Sequence, residues 1–342
     1  MIENLVYLLN TLIYGIIVSA VSFLIIFLIT PAFIKYLSKK GSEVVDYHKL
    51  GKPLIPRPAG PILLMGIVIA EIILYLLIPD IKIISVLLTT IIAFFIGYID
   101  DRKTMPGWFK PVALILAAVP IIVLGSHGNY LGLIFDSAFI PLLYILLILS
   151  IVPIVGNTIN SIDVFNGVAS GFIIITMIPT LVSVLLFSNT NVFLMSLPLL
   201  FGCIAIYQYH KYPSKIFLGD SGTLLLGSMY AALSIVGNSE IIGVIALLPA
   251  IMNSFLFLSS VKKIVEHRQV KTRPVTICDD FRLMASKESS APATLVRLIL
   301  AKGPLSEKDI IKRIFILTTF SSILAFITIA IQYSFMRGLI SL

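Results

Sequence analysis

The stretch IIAFFIGYIDDRKTMPGWFKPVALILAAV, residues 91–119, places a short charged loop between two apolar segments. The apolar flanks carry no charged residue, whereas the loop between them holds Asp100, Asp101, Arg102, Lys103 and Lys110. A helix that crosses the hydrocarbon core of a bilayer needs roughly 20 predominantly apolar residues. Of the 342 residues, 58% are hydrophobic and only 12% are charged, a composition that excludes an ordinary soluble protein. The pattern therefore predicts an integral membrane protein.

Apolar segments of the same kind recur along the whole chain. We predict an all-α fold with about ten transmembrane helices in a single polytopic domain, residues 1–342. The predicted spans are about 5–35, 59–78, 83–99, 110–125, 139–155, 168–187, 192–209, 221–236, 241–261 and 314–335.

The distribution of positive charge predicts the orientation. When the ten segments are threaded in order, 23 of the 25 Lys and Arg residues fall on one side, and only Lys82 and Arg337 fall on the other. Cytoplasmic loops carry the excess of Lys and Arg, so both termini are expected outside and the polar loops in the cytoplasm. We therefore expect the basic residues behind the net charge of +8 to set the orientation in the membrane and to contact anionic membrane lipid. We expect no nucleic-acid partner.

Residues 262–313 form the largest predicted cytoplasmic loop. Its first part, 266–274, alternates in polarity and ends at a proline, which favours an extended segment. Its second part, 293–302, is apolar but too short to cross a membrane, which favours an interfacial helix.

Asp100 and Asp101 stand where the third span leaves the membrane. Two adjacent carboxylates repel one another, so the pair is either a catalytic base or metal-linked pair, or a solvated loop end neutralised by Arg102 and Lys103. Lys110 follows a Pro-Gly turn that could fold the chain back and direct its ammonium at the same site. There it could donate hydrogen bonds to a phosphate.

Asn157, Asn160 and Asp163 recur at intervals of three, just before Asn166-Gly167. On a helix this spacing lines the side chains along one face. Polar groups at membrane depth are costly, so they mark either a functional site or hydrogen bonds between helices.

Asp220 ends a cytoplasmic loop, in the stretch Gly219-Asp220-Ser221-Gly222, just before the eighth span. Its side chain could cap that helix, or it could bind magnesium beside backbone amides that meet phosphate. Together with the motifs above, it predicts one site for a metal-bound diphosphate.

The order of these motifs resembles the polyprenyl-phosphate N-acetylhexosamine-1-phosphate transferases, ten-span membrane enzymes. The resemblance covers nearly the whole chain. It rests on the residues Asp46, Lys49, Ile55-Pro56, Gly60, Asp100-Asp101, Lys110, Asn157, Asn160, Asn166-Gly167 and Gly219-Asp220. In the last loop, His267-Arg268 and residues 295–307 look like the archaeal and eukaryotic branch, whose enzymes make dolichyl-diphosphate-GlcNAc. Asp163-Val164 departs from the family, where Gly commonly follows this position.

The resemblance implies a role for each matching residue. Asn160 and Asp220 would bind Mg²⁺, with Mn²⁺ as the alternative metal, and Asp100 or Asp101 would orient or deprotonate the lipid phosphate. Lys110 and Arg268 would hold the diphosphate or the sugar, and Asn166 would contact uracil. The remaining substrate-binding candidates are Asp46, Lys49, Asn157, Asp163 and His267.

The expected function is transfer of GlcNAc-1-phosphate from UDP-GlcNAc to dolichyl or polyprenyl phosphate, with release of UMP. This reaction is the first step of N-glycan lipid-linked oligosaccharide assembly. Two alternatives stay open, a secondary transporter of an anionic solute and the same chemistry with another UDP-N-acetylhexosamine. The expected location is the membrane, the cell membrane in an archaeon, with the active site facing the cytoplasm. A homodimer is also expected.

Overall fold

A computed structural model describes residues 2–49, 51–262 and 272–336, with the side chains described from Leu9 onward. Over these residues the chain forms twelve α-helices and six short strands, and most of the protein is helical. The helices are α1 Ile2–Lys39, α2 Gly60–Leu77, α3 Ile81–Arg102, α4 Phe109–Val123, α5 Pro141–Ile162, α6 Val168–Phe187, α7 Thr190–His210, α8 Gly219–Val236, α9 Glu240–Ala246, α10 Leu248–Val261, α11 Leu295–Ile299 and α12 Glu307–Met336.

Seven of the described helices are long and apolar enough to cross a membrane, namely α1, α2, α3, α5, α6, α7 and α12. The pair α9 and α10 adds an eighth span if its 69° bend belongs to one broken segment. Helix α4 is apolar but shorter than a full span. The predicted integral membrane fold is therefore confirmed, whereas ten spans and the sidedness of the loops stay predictions.

Local sequence signals mark where several helices begin. The Asp80 carboxylate accepts the Lys82 N–H at 2.9 Å at the start of α3, and the Asn189 side chain accepts the Val192 N–H at 3.0 Å at the start of α7. Proline occupies the first turn of α2, α5 and α10, where its missing N–H costs nothing.

Helix α8 is the centre of the bundle. It packs against α2, α3, α4, α5, α6, α7 and α9, and every one of its residues is buried. Its polar first turn therefore lies among other helices and meets no lipid. This explains how a helix with Asp220, Ser221 and Thr223 in its first turns is accommodated.

Three two-stranded antiparallel hairpins lie outside the helices. They are formed by β1 Glu43–Val45 with β2 Leu54–Pro56, β3 Tyr130–Gly132 with β4 Ser137–Phe139, and β5 Val275–Ile277 with β6 Leu283–Ala285. The first hairpin continues onto the start of α8, because the Phe217 N–H donates to Pro56 O at 2.9 Å and the Ala59 N–H donates to Phe217 O at 2.9 Å. This pairing holds the first loop over the N-terminus of α8.

A helix forms at the place expected for an interfacial one, as α11 followed by a 3-10 turn over Leu300–Lys302. Leu295, Val296 and Leu300 are buried, and α11 packs against α10, α12 and β6. Thr294 caps it, with its side chain accepting the Arg297 N–H. Its contact with the membrane surface stays a prediction. Of the expected extended segment, residues 266–271 lie outside the described part of the chain.

Two glycines let other helices approach the start of α8. A Cβ added at Gly97 in α3 would lie 2.6 Å from Ser221 Cα, and one at Gly60 in α2 would lie 2.8 Å from the Gly222 backbone N. Such distances are not possible for real side chains, so α2 and α3 depend on glycine here.

We predict that Gly97→Ala lowers the stability of the protein by about 1–3 kcal/mol, as overpacking of a core does, because α3 must move away from α8. Thermal unfolding in detergent measures the change. Gly132→Ala is the matched control, since an added Cβ there meets no atom within 4 Å. Equal melting temperatures for the two variants would contradict the packing described for Gly97.

We predict that Cys278, in the turn between β5 and β6, faces the cytoplasm and that a tag following Leu342 is external. In intact cells an impermeant maleimide should leave Cys278 unmodified and should react with a Ser137→Cys variant in β4. Cys203 gives no background because it is buried in α7. Labelling of Cys278 in intact cells would overturn the predicted orientation.

Candidate active site

The N-terminus of α8 is held by a carboxylate from another helix. The Asp101 side chain, at the end of α3, accepts the backbone N–H groups of Asp220 and Ser221, each at 2.9 Å, and the Ser221 hydroxyl at 2.6 Å. The first N–H groups of a helix have no partner within the helix, and the helix dipole favours a negative charge at this end. Asp101 thus caps α8 from outside.

The Asp220 carboxylate, in the first turn of α8, lies between two cations. Arg57 lies 3.1 Å from its Oδ2, and Lys110 lies 3.4 Å from its Oδ1. Since Asp101 supplies the cap, the Asp220 side chain is left to face these cations. The capping alternative for Asp220 is therefore wrong.

Asp100 and Lys110, both predicted as catalytic, form a buried ion pair in which Lys110 Nζ lies 3.1 Å from Asp100 Oδ2. The second oxygen of Asp100 accepts the Met105 N–H at 2.8 Å. The turn after α3 therefore folds back as expected, and it brings Lys110 between Asp100 and Asp220.

Arg57 completes the cluster and was not among the predicted site residues. Besides Asp220, it contacts Asp101 at 2.9 Å. Burial alone would lower the pKa of the Arg57 guanidinium, but the carboxylates of Asp101 and Asp220 outweigh burial and raise it. The cluster of Arg57, Asp100, Asp101, Lys110 and Asp220 has three carboxylates and two cations, so it retains one formal negative charge.

The asparagine run at the end of α5 divides between two environments. Asn160 accepts the Thr223 hydroxyl at 2.8 Å, and Thr223 also reaches the Asp220 carbonyl at 3.3 Å, so Asn160 lies beside the start of α8. Asn157 donates to the Pro153 carbonyl of its own helix at 2.9 Å and does not line the cleft described below. The structure thus brings Asn160, but not Asn157, to the cluster.

Asp163 ends α5 and turns toward the start of α6. Its Oδ1 accepts the Ala169 N–H at 3.3 Å and lies 3.7 Å from His210 Nε2. The other ring nitrogen of His210 lies 2.9 Å from the Ser170 hydroxyl. Burial raises the pKa of the Asp163 carboxyl to about 7. His210 lies beside this side chain and was not predicted from the sequence.

A second buried network joins Asp46, Lys49 and Asn166, all predicted to bind substrate. Lys49 pairs with Asp46 and donates to the Asn166 side-chain oxygen, and the Asn166 amide donates to Asp46 at 3.2 Å. Glu307, the first residue of α12, accepts the Asn166 backbone N–H at 3.3 Å and lies 3.6 Å from Lys49. Glu307 was missed, because no local pattern distinguishes it from an acidic residue that favours a helix start.

Both networks open onto one cleft of about 1330 Å³. Among the predicted residues, its lining includes Asp46, Asp101, Lys110, Asn160, Asp163, Asn166 and Asp220. Arg57, Thr272 and Arg273 also line it. The predicted residues His267 and Arg268 lie outside the described part of the chain.

Residues 83–238, which run from α3 to the end of α8, match a family model described as glycosyl transferase family 4. This segment contains the capped N-terminus of α8 and its carboxylates. Over these residues the chain is similar to glycosyl transferase family 4. The resemblance inferred from the motifs is therefore confirmed.

Curated members of the family match over more of the chain. A protein of Methanocaldococcus jannaschii, provisionally named a glycosyltransferase, is 28% identical over 88% of this chain and 93% of its own length. A Saccharolobus solfataricus protein is provisionally named a UDP-N-acetylglucosamine–dolichyl-phosphate N-acetylglucosaminephosphotransferase. It is 25% identical over 91% of this chain and 95% of its own length. The phospho-N-acetylmuramoyl-pentapeptide-transferase of Staphylococcus aureus is 26% identical over 67% of this chain and 77% of its own length. The names of the second and third relatives describe phosphotransferases.

The site has oxygen donors suited to magnesium. No group of three or more His, Cys, Asp or Glu residues able to hold a metal is found in the described part of the chain. Magnesium is commonly bound by one or two carboxylates together with substrate phosphates and water. Asp220 with the Asn160 carboxamide fits that pattern, since a carbonyl that accepts one hydroxyl keeps a second lone pair.

We predict that Asp101→Asn lowers the free energy of unfolding by roughly 1–3 kcal/mol, because it weakens charge-assisted hydrogen bonds at the buried start of α8. Chemical or thermal unfolding in detergent measures the loss. Asp136→Asn is the matched control, since that exposed carboxylate accepts a single N–H in the β3–β4 hairpin. A stability equal to that of the control would contradict the capping role.

Proposed function

We propose that this protein transfers GlcNAc-1-phosphate from UDP-GlcNAc to dolichyl phosphate or another polyprenyl phosphate and releases UMP. The observation that carries the proposal is the position of Asp220, with Lys110 and Arg57 on its two oxygens, in the lining of a large cleft. The name given to the Saccharolobus solfataricus relative supports the choice of both substrates.

The cleft has the size and charge that two phosphate substrates require. Sites for single small molecules usually measure about 300–1,000 Å³, and this cleft measures about 1330 Å³. It offers the cations Arg57, Lys110 and Arg273 for phosphate oxygens. Arginine and lysine are the usual phosphate-binding side chains, because they donate charge-assisted hydrogen bonds.

In the proposed reaction an oxygen of the lipid phosphate attacks the β-phosphorus of UDP-GlcNAc. A new phosphoanhydride bond forms, and the bond from the β-phosphorus to the bridging oxygen breaks, so that this oxygen leaves with UMP. One phosphoanhydride replaces another, and the reaction is therefore reversible. Lys110 and Arg57 neutralise charge that develops on the leaving phosphate.

Asp100 and Asp101 serve this reaction by positioning other groups. A phosphate monoester already carries nearly two negative charges at neutral pH, so its attack needs no base. Asp101 accepts hydrogen bonds from the start of α8. Asp100 pairs with Lys110 and accepts the Met105 N–H. Their substitution therefore disturbs Asp220 and Lys110 and removes no required proton acceptor.

We propose Asn160 and Asp220 as the residues that hold Mg²⁺, with Mn²⁺ as the alternative metal. The single negative charge of the cluster favours a divalent cation, and Asp220 lines the cleft with Asn160. When bound, the metal neutralises diphosphate charge as a Lewis acid. Asn166 would contact the uracil from within its network with Asp46 and Lys49.

The acceptor explains why such a site lies at the end of membrane helices. The polyprenyl tail stays in the hydrocarbon while its phosphate reaches the cleft, which we place on the cytoplasmic side. The product is the first lipid-linked sugar of N-glycan assembly. In this proposal the partners are UDP-GlcNAc, the polyprenyl phosphate and membrane lipid, and the homodimer stays a prediction.

A secondary transporter of an anionic solute is the second candidate, and the broken pair α9 and α10 favours it. Transporters bind substrates near the bilayer midplane, between discontinuous helices. In this chain the charged cluster lies at one end of α3 and α8 instead. Counterflow of a labelled anion in proteoliposomes without release of UMP would favour transport.

The decisive experiment incubates the purified protein with dolichyl phosphate, Mg²⁺ and a panel of UDP-sugars. We expect UMP and a lipid-linked GlcNAc-diphosphate from UDP-GlcNAc, and reversal when UMP is added. Product from a different UDP-N-acetylhexosamine would correct the donor, and no UMP from any donor would reject the transferase function.

We predict that Asp220→Asn lowers turnover by about 10²-fold or more, the size of effect seen when a catalytic electrostatic contact is removed. Its melting temperature should fall less than that of Asp101→Asn, because Asp101 still caps α8, and Arg57 and Lys110 keep Asp101 and Asp100 as ion-pair partners. Asp136→Asn again serves as the control and should retain full turnover. A fully active Asp220→Asn variant would show that the charge of Asp220 is not needed for catalysis.

A further inference from the structure

A second cavity is lined by residues of α7 and α12. It is a shallow groove of about 620 Å³, formed by Tyr207 of α7 and by residues between 308 and 323 of α12. None of its lining residues lines the catalytic cleft. The groove is therefore a separate feature of the molecule.

The sequence of α12 gives the groove one cationic end and a long apolar wall. Lys308 and Lys312 are one helical turn apart and line its first part, and Phe315, Ile316, Phe320 and Ile323 continue the same face. At 1.5 Å per residue, the wall from position 308 to position 323 is about 22 Å long. Half of a hydrocarbon core is about 15 Å thick, so the groove reaches from the membrane surface through one leaflet.

Both lysines are exposed, and within the described part of the chain neither pairs with a carboxylate. Lys308 Nζ lies 5.1 Å from the centre of the Tyr212 ring. The nearby Asp309 accepts the Ser306 hydroxyl at 2.6 Å and does not line the groove. The groove therefore offers two cations to an anionic group at the membrane surface.

We propose that this groove binds one anionic phospholipid, with its phosphate on Lys308 and Lys312 and an acyl chain along Phe315 to Ile323. Basic pockets between membrane helices bind anionic lipid headgroups, since each lysine near the surface attracts them. The lipid is a structural ligand and not the acceptor substrate, because the phosphate of an acceptor must reach Asp220 in the separate cleft.

The headgroup end of the groove is connected to the buried network of the cleft. The Tyr212 ring lies 5.1 Å from Lys308 Nζ and 4.8 Å from Lys49 Nζ. Glu307, which directly precedes Lys308, contacts Lys49 and the Asn166 backbone. A phosphate that draws Lys308 toward the membrane surface therefore acts on groups beside Asn166, and the bound lipid supports this network.

Native mass spectrometry of the full-length protein, released from nanodiscs of phosphatidylcholine and phosphatidylglycerol, tests the proposal. We expect one retained phosphatidylglycerol and no retained phosphatidylcholine. Lys308→Gln with Lys312→Gln should weaken the retention roughly 30-fold, as the loss of two surface lysines implies. Thr319→Trp fills the groove without changing its charge and should also release the lipid.

Lys39→Gln with Lys40→Gln is the matched control, because these exposed lysines lie at the end of α1 and Lys40 also stacks on a tyrosine, Tyr36. It should retain the lipid as the wild type does. Equal retention by the two double variants, or no retention by the wild type, would overturn the proposal. Displacement of the lipid by dolichyl phosphate would show instead that the groove holds the acceptor. None of these outcomes depends on the transferase assay.

Discussion

The site depends on the contact between the Asp101 carboxylate and the buried N-terminus of α8. A helix that starts among other helices cannot leave its first N–H groups to water, so an acceptor must come from the protein. Asp101 provides both carboxylate oxygens and also holds Ser221. With the start of α8 held in this way, the Asp220 carboxylate contacts Arg57 and Lys110.

The contact between Asp101 and α8 depends on close packing of the backbone as well as on charge. Gly219 has a φ of +72°, and a Cβ there would lie 2.8 Å from Asp101 Oδ2. Gly60 and Gly97 remove side chains where α2 and α3 meet the same turn. The close backbone packing explains why α8 is buried along its whole length although its first turns are polar.

Opposite charges are paired in two buried groups, one at the start of α8 and one around Asn166. Removing one partner of a buried ion pair is costly because the other charge is left uncompensated. Asp220 therefore cannot change without affecting Arg57 and Lys110, and Glu307 cannot change without affecting Lys49. Under the proposed function, substrate phosphates that enter the cleft compete for the same cations, so that substrate recognition and stability depend on one set of contacts.

The sequence alone determined the membrane class of the protein and most of the chemistry of its site. Long apolar segments must span or be buried, and Asp, Asn and Lys at their ends are too costly to be incidental. Motif order then indicated the family. Arg57 and Glu307 gave no such signal, because a basic loop and an acidic helix start are expected in any membrane protein.

Only the tertiary structure decided which of these residues meet and what each is free to do. The partners of Arg57 lie 44 and 163 positions away in the chain, and Glu307 lies 141 positions from Asn166. Local spacing carries no information on such pairs. The interval of three residues predicted that Asn157 and Asn160 share one helix face and one site, but the Asn157 side chain donates a hydrogen bond to a carbonyl of its own helix. The sequence also left Asp220 open between capping α8 and binding magnesium. Packing assigned the cap to Asp101, because its carboxylate reaches two backbone N–H groups at the start of α8.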